Sequence, residues 1–181
     1  ELEVLSSLTR AKGTIVKEVT NVEKMLISGV AKDDNIARIS IIGVPDKPGL
    51  AFRIFSKLSQ KNINVDIILQ SIGRNGTKDI SFTVEKDKMD SAIEILESYV
   101  ETLGASSVVS DDNVAKVSIV GSGMESHPGV ASDMFEALFD ANVNIQMIAT
   151  SEIKISVLIE KQDANKAVAA IHAKFFEQVQ Q

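Results

Sequence analysis

The chain contains no cysteine. A disulfide scaffold, a thiolate zinc site and a cysteine nucleophile are thereby excluded. It has no tryptophan, one tyrosine and no block of lysine or arginine, and its formal charge is −6, from 19 Lys+Arg against 25 Asp+Glu. A nucleic-acid surface needs dense positive charge, which this balance does not offer. No apolar run approaches the roughly 18–20 residues of a membrane span, and the N-terminus lacks the basic-then-apolar form of a secretion signal. Histidine is scarce as well: His127 and His172 are the only two, and neither stands near a Ser/Asp pair in sequence. What is present is apolar. Hydrophobic residues make up 44% of the 181 positions, enough for a packed core in one domain or two small ones. The composition reads as a soluble, cytoplasmic protein without nucleic-acid or membrane partners. The first residue is Glu1 rather than Met, which reads as a piece of a longer polypeptide.

Self-similarity organises the chain. Ile36-Ala-Arg-Ile-Ser-Ile-Ile-Gly43 aligns with Val114-Ala-Lys-Val-Ser-Ile-Val-Gly121, and Lys47-Pro-Gly-Leu-Ala51 with His127-Pro-Gly-Val-Ala131. Asn62-Ile-Asn-Val65 matches Asn142-Val-Asn-Ile145, and Ile80-Ser-Phe-Thr-Val-Glu85 matches Ile155-Ser-Val-Leu-Ile-Glu160. The four blocks recur in one order at similar spacing, so a unit is duplicated. Two copies are too few for a solenoid, and paired domains are the better reading.

Each copy runs through the same periods. Ile39 and Ile41 alternate with Arg38 and Ser40, the pattern of a half-buried strand. Pro48-Gly49 opens a helix with apolar positions Ala51, Phe55 and Leu58 and with Arg53, Lys57 and Lys61 facing water. Val65, Ile67 and Leu69 alternate with Asp66 and Gln70 as a second strand. Gly73-Arg-Asn-Gly76 is a turn, because Asn-Gly favours positive φ. Ile80, Phe82 and Val84 form a third strand. Met89, Ala92, Ile93, Leu96 and Val100 make a helix stripe, and Val108-Val109 a short fourth strand. The order is βαββαβ: an α+β, ferredoxin-like unit with two helices on one face of an antiparallel sheet. The second copy ends after a helix around Ala164, Ala167, Val168, Ile171 and Phe175, one strand short. The run Met25–Ala31 has no place in the first copy, and we expect it to cross over and complete the second sheet. The alternative is a strand beyond Gln181.

As an enzyme the chain is poor. No nucleophile, general-base or metal constellation stands out. Gly121-Ser-Gly123 lacks the third glycine of a dinucleotide loop, since Ser126 occupies it, and no Gly-Lys-Ser/Thr follows. His172 sits late in a helix, where a cation suits the dipole. The better candidates are the two strand-to-helix loops, Pro45–Ala51 and Met124–Ala131. Proline at a helix start has φ already set, and glycine beside it lets backbone approach a ligand. The amides of Gly49, Leu50 and Ala51 would receive a carboxylate at the positive end of the dipole. Asp46 would balance an ammonium group. A free amino acid carries both charges. From the loop alone, Pro-Gly reads more simply as a good helix entry.

Asp46-Lys-Pro-Gly49, Asn62-Ile-Asn-Val-Asp66 and Gln70-Ser71 resemble an ACT domain, the amino-acid-sensing βαββαβ module. Ser126-His-Pro-Gly-Val130, Asn142-Val-Asn-Ile145 and Thr150-Ser-Glu-Ile-Lys-Ile-Ser156 resemble the C-terminal ACT pair of aspartate kinases. The resemblance covers about residues 20–177, and Val4-Leu-Ser-Ser7 with Gly13-Thr14 looks like the end of a kinase catalytic domain. It implies these divisions: a kinase tail or linker at 1–24, a strand completing the second domain at 25–35, ACT domains at 36–112 and 113–177, and a tail at 178–181.

The family phosphorylates aspartate with ATP and magnesium, but its catalytic and nucleotide segments are not in this sequence. The chain is therefore expected to be regulatory, to have no catalytic or metal residues and no cofactor of its own, and to partner a kinase catalytic domain or subunit. Family effectors are lysine and threonine, bound between ACT domains of a homodimer and inhibiting the kinase by feedback. The resemblance implies an effector site at Asp46, Pro48, Gly49, Leu50, Ala51 and Gln70, completed by Asn144 and Ile145 of the partner subunit. It implies a second at His127, Gly129 and Val130 with Asn64 and Val65. Ser71, Ser81, Thr150, Ser151 and Glu152 are where feedback sensitivity is expected. Glu125-Ser126-His127 replaces Val44-Pro45-Asp46-Lys47 in the second loop, so that site lacks an evident ammonium partner. An ACT pair serving another biosynthetic enzyme is the alternative. An RNA-binding sheet would need aromatic residues on its central strands, where only Phe82 stands.

Overall fold

The computed structural model describes residues 2–4, 14–16, 27–71, 76–122, 124 and 127–177. Residues 25 and 26 of the crossing run, 73–75 of the Asn-Gly turn, and 123, 125 and 126 of the second loop lie outside the described residues. So do most of the leader and the last four positions.

Two four-stranded antiparallel sheets dominate. The first has the order β5-β6-β4-β7, formed by β5 (Ile68–Gln70), β6 (Thr77–Glu85), β4 (Ile36–Pro45) and β7 (Ser107–Asp111). The second has the order β3-β8-β10-β9, formed by β3 (Gly29–Asp33), β8 (Val114–Val120), β10 (Lys154–Glu160) and β9 (Met147–Thr150). A separate pair joins β1 (Leu2–Val4) to β2 (Thr14–Val16). Helices α1 (Leu50–Ser59), α2 (Met89–Glu97) and α3 (Val100–Leu103) go with the first sheet; α4 (Val130–Asp140) and α5 (Ala164–His172) go with the second, followed by a π-helical turn over Ala173–Glu177. This is the α+β, ferredoxin-like arrangement that the periods imply, in two copies.

The fourth strand of the second sheet comes from upstream. Gly29–Asp33 runs antiparallel to β8, with Val30 opposite Ile119 and Asp33 opposite Lys116. The chain then passes through Asp34-Asn35 into the centre of the first sheet, and returns through Asp112-Asn113 into the centre of the second. Both connections are two residues long. Both are held by an Asx turn, in which Asn35 N donates to Asp33 Oδ1 (3.0 Å) and Asn113 N to Asp111 Oδ1 (2.9 Å).

Each sheet packs its own helices. Ile39, Ile41, Ile80 and Phe82 meet Leu50, Ile54, Leu58 and Leu96 in one core. Val117, Ile119, Val157 and Ile159 meet Met134, Leu138 and Ile171 in the other. The helix-free faces meet each other through a smaller cluster of Ile36, Ile67, Val114, Met147 and Leu158.

That second contact corrects several expectations. Ser40 is buried although it lies on the polar side of β4, and so are Ser118, Ser156 and Thr83. Their hydroxyls are paired: Ser40 Oγ lies 2.7 Å from Ser81 Oγ, Ser118 Oγ lies 2.8 Å from Ser156 Oγ, and Ile67 N donates to Thr83 Oγ1 (3.0 Å). The expected strand from Val65 shrinks to Ile68–Gln70, because the regular pairing with β6 gives way at Thr83, which takes the Asp66 amide on its carbonyl and the Ile67 amide on its hydroxyl while Ile67 turns into the seam. Leu69 is exposed rather than inward. On α1 the buried face is Leu50, Ile54 and Leu58, while Ala51 faces out. A short apolar side chain gives no phase information, and the 4-residue spacing of the larger ones sets the face. Met89–Val100 is two helices rather than one, broken at Ser98-Tyr99.

Candidate functional site

Both strand-to-helix loops end on the same backbone device. Gly49 is the N-cap of α1 with φ 88°, Gly129 is the N-cap of α4 with φ 110°, and neither cap carries a side-chain hydrogen bond. A Cβ at either position would meet nothing within 4 Å. The demand for glycine is therefore conformational, since an L residue resists left-handed φ. Leu50 and Val130 anchor the first turns in the two cores, while Pro48, Gly49 and Ala51 stay exposed. The leading N–H groups of each helix have no intrahelical acceptor and sit at the positive end of its dipole. Each loop thus offers backbone donors to an anion.

The first loop is also tied to its sheet. Asp46 N donates to Gly76 O (2.8 Å), and the Asp46 carboxylate accepts from Lys78 Nζ (2.9 Å). Asp46 itself remains more than half exposed. The next residue after Lys78, Asp79, accepts from the amide of Gly43 (2.8 Å), at a register shift in the pairing of β4 with β6, and its own amide donates to Ser71 Oγ (2.9 Å). Gln70 pairs in register with Ile80 on the same strand. Strand β6 therefore brings Asp46, Gln70 and Ser71 to one end of the first sheet. Lys78 and Asp79 went unnoticed in the sequence, because hairpin pairing and not local spacing makes them neighbours of the loop.

Of the remaining candidates, Asn64, Val65, Thr150 and Ser151 line two cavities beside the seam. Asn62 (φ 55°) and Asn142 (φ 50°) end their helix–strand turns in the left-handed region, which asparagine tolerates better than most residues. The segments they release carry Asn64 and Val65, and Asn144 and Ile145. A hollow of about 310 Å³ includes Asn64, Val65, Asp66, Asp33 and Lys116 in its lining. A neighbouring groove of about 380 Å³ includes Asp66, Ile68, Thr150, Ser151 and Lys154. Ser151 N donates to Lys154 O (2.7 Å), closing the β9–β10 turn that also carries the exposed Glu152. Ser81 is placed differently, against Ser40 on the helix-free face. His127 is exposed at the second loop, and His172 stacks on Phe176 at 4.8 Å, in the helical end of the chain.

Charge is concentrated where hollow and groove meet. Lys116 Nζ is hydrogen-bonded to Asp66 and lies 3.3 Å from Asp33. That hydrogen bond, opposed by partial burial, holds the Asp66 carboxyl below its usual range. Burial alone would lower the Lys116 pKa, but the bonds and charges of Asp66 and Asp33 raise it above the ordinary lysine value. Among the described residues no group of three or more His, Cys, Asp or Glu is arranged to hold a metal. No helix among them is long and apolar enough to cross a membrane. Large apolar side chains remain exposed on α1 and α4, at Phe52 (76%) and Phe139 (81%), and on the edge strands, at Ile68, Leu69 and Ile148.

Comparison with known proteins agrees with this architecture. The ACT domain family model matches residues 39–99 and again 117–175, one match on each sheet-and-helix unit. An aspartate kinase of Stutzerimonas stutzeri, Ask_LysC, is 46% identical over 176 residues, which is 96% of this chain and 43% of that protein. The chain thus spans less than half the length of this relative. The regulatory subunit of aspartate kinase from Thermus thermophilus, in ligand-free form, superposes with TM-score 0.79 at 41% identity, over 83% of this chain and 99% of that one. A chain from a structure of aspartokinase alpha and beta subunits gives 0.77 at 47% identity, over 82% and 98%. With both units matched and a whole regulatory subunit covered, the chain belongs to the ACT domain family, as a tandem regulatory region of the aspartate kinases.

Proposed function

We propose that the chain is the amino-acid-sensing part of an aspartate kinase, and that it binds lysine, threonine or both where ACT domains of two chains meet. The observation that carries this reading is the uncapped helix start at Gly49 with Asp46 beside it. A free amino acid presents a carboxylate to the amides of Gly49, Leu50 and Ala51 and an ammonium group to Asp46, which shares its charge with Lys78. Gln70 lies on the edge strand of the same sheet, and Asn144 and Ile145 of the partner subunit complete the site. His127, Gly129 and Val130, with Asn64 and Val65 of the partner subunit, form the second, weaker site. The exposed Phe52, Phe139, Ile68, Leu69 and Ile148 supply the apolar surface that a second copy covers. Ser71, Thr150 and Ser151 border the sites, where substitution alters sensitivity to the effector.

A ligand held between chains stabilises the associated arrangement by mass action. If the kinase works best in the other arrangement, the ligand inhibits it by no more than its difference in affinity between the two. A coupling of about 1–3 kcal/mol corresponds to a roughly 5- to 150-fold change in affinity. ATP, magnesium and aspartate belong to a catalytic domain or subunit that this chain regulates in the cytoplasm.

Thermal unfolding against each of the twenty amino acids, with size-exclusion chromatography alongside, tests the reading. The expected result is a selective rise in midpoint with lysine or threonine, accompanied by dimer formation. A response confined to an unrelated amino acid would assign the chain to another sensor, and no response to any would remove the proposal.

A further inference from the structure

The two sheets touch through a small apolar cluster, and small inter-domain contacts leave relative motion as the default. Beside that cluster, the described residues make polar contacts across the seam in two related sets. Arg38 and Lys116 occupy the same position in the duplicated blocks, as do Gln146 and Asp66, and Asp111 and Asp33. Arg38 Nη1 donates to Gln146 Oε1 across the seam (2.8 Å), and its Nη2 to Asp111 in its own sheet (3.1 Å). Lys116 does the same in the opposite direction, reaching Asp66 across the seam and Asp33 in its own sheet. The sets differ in charge. One joins a cation to a carboxylate across the seam, and the other joins a cation to a neutral amide, with Gln146 Nε2 and Asn113 Nδ2 both donating to Glu160 (2.9 Å each).

We infer that Lys116 is a positioning residue that fixes the mutual orientation of the two domains by clamping Asp66, with the Arg38–Gln146 pair as a weaker second clamp. The two connections, Asp34-Asn35 and Asp112-Asn113, are the pivots. They are short, pinned by their Asx turns and gripped from each side, by Lys161 Nζ on Asp34 O (3.0 Å) and by Lys86 Nζ on the Asp112 carboxylate (2.9 Å). Rotation about them is opposed by the clamps and the apolar cluster. The clamped residue Asp66 ends the segment that carries Asn64 and Val65 and lines both seam cavities. Displacement of that segment therefore changes the domain angle, whatever molecule causes it.

The absence of cysteine allows a direct test. Glu94→Cys on α2 and Ala169→Cys on α5, both at exposed positions, carry one spin label each, and the labelled chain is diluted with unlabelled chain so that only distances within a chain are read. The expected result is one narrow distance distribution for the otherwise unaltered chain, its loss in Lys116→Met, its return in Lys116→Arg, and a lesser broadening in Arg38→Met. If Lys116→Met does not fold by circular dichroism, Asp66→Asn is read in its place, with the same loss expected. A narrow, unshifted distribution in Lys116→Met or in Asp66→Asn overturns the inference. So does a Lys116→Arg distribution as broad as that of Lys116→Met, since the charge would then not be what positions the domains.

Discussion

The two halves share a plan and differ in how they fill it. On β6 and β10, the matching central strands, the first half reads Ile80-Ser-Phe-Thr83 and the second Ile155-Ser-Val-Leu158. Phe82 faces its helices with an edge-to-face contact to Phe55 at 5.4 Å, where the second half has only Val157. At the next position the polarity is exchanged: Thr83 turns a hydroxyl to the amide of Ile67, whereas Leu158 lies in the apolar cluster between sheets. The difference teaches that duplication conserved the direction of each side chain and not its chemistry. One half puts more bulk against its helices, and the other puts more of it at the seam.

Truncation gives the sharpest contrast. Phe82→Ala removes a fully buried ring and should cost about 3–5 kcal/mol, within the range for buried aromatic truncations. Val157→Ala deletes only two methyl groups and should cost clearly less. Denaturant unfolding of both variants, read as the shift in midpoint at constant slope, checks this. Equal losses would break the comparison.

A smaller effect is expected at the serine pairs. Ser156→Ala leaves the Ser118 hydroxyl buried without its partner, which should cost about 1–3 kcal/mol, whereas removing both hydroxyls together should restore most of that loss. Ser81 is only half-buried, so Ser81→Ala should cost less than Ser156→Ala. A double-mutant cycle measured by denaturation decides this.

The smallest effect concerns pH. The Asp66 carboxyl is held below its usual value by Lys116, so its contribution is present above the unfolded pKa of about 3.9 and is lost as pH falls through the lower folded value. Lys116 is raised, so its contribution is present below about 10.4 and is lost as pH rises through the higher folded value. The charged clamp should therefore be insensitive to pH across the neutral range and open only at the acid end, below about 3.9, and at the alkaline end, above about 10.4. Stability measured against pH for the unaltered chain and Lys116→Met should differ by a constant between those ends. A difference that vanishes near neutrality would contradict the pairing.

Much of this was legible in the sequence, and the limits have physical causes. Strands β4, β6, β8 and β10 follow from period-2 runs that end on a helix core, and duplicated blocks supply the second reading of each. The loops at Gly49 and Gly129 were legible because Pro-Gly before an apolar stripe marks a helix entry, although the helix phase was not: Pro48 lies just ahead of the Gly49 N-cap, and the buried face begins at Leu50 rather than Ala51. Contacts of the helix-free faces were not. Ser40 reads as the polar side of a half-buried strand, and nothing in the spacing marks Thr83, Ser118 or Ser156 as buried, because hydroxyls paired with another hydroxyl or with a backbone amide leave no trace there. Lys78 and Lys116 carry no signal of their own in the sequence, because only strand pairing and the meeting of the sheets place them against Asp46 and Asp66. The repeated Asp-Asp-Asn before each central strand was a visible signal of the two crossings that spacing arguments about helices and strands passed over.

The central claim is that the loops sense a small zwitterion and that the first loop dominates, because Asp46 gives it an ammonium partner and His127 gives none. Calorimetric titration of lysine and of threonine into the unaltered chain, Asp46→Ala and His127→Ala tests it. Asp46 is more than half exposed while its partner Lys78 is largely covered, so circular dichroism first establishes that the variant titrated is folded. The account expects Asp46→Ala to lose the tighter binding while His127→Ala retains it. Normal binding by Asp46→Ala, with loss in His127→Ala, would contradict it.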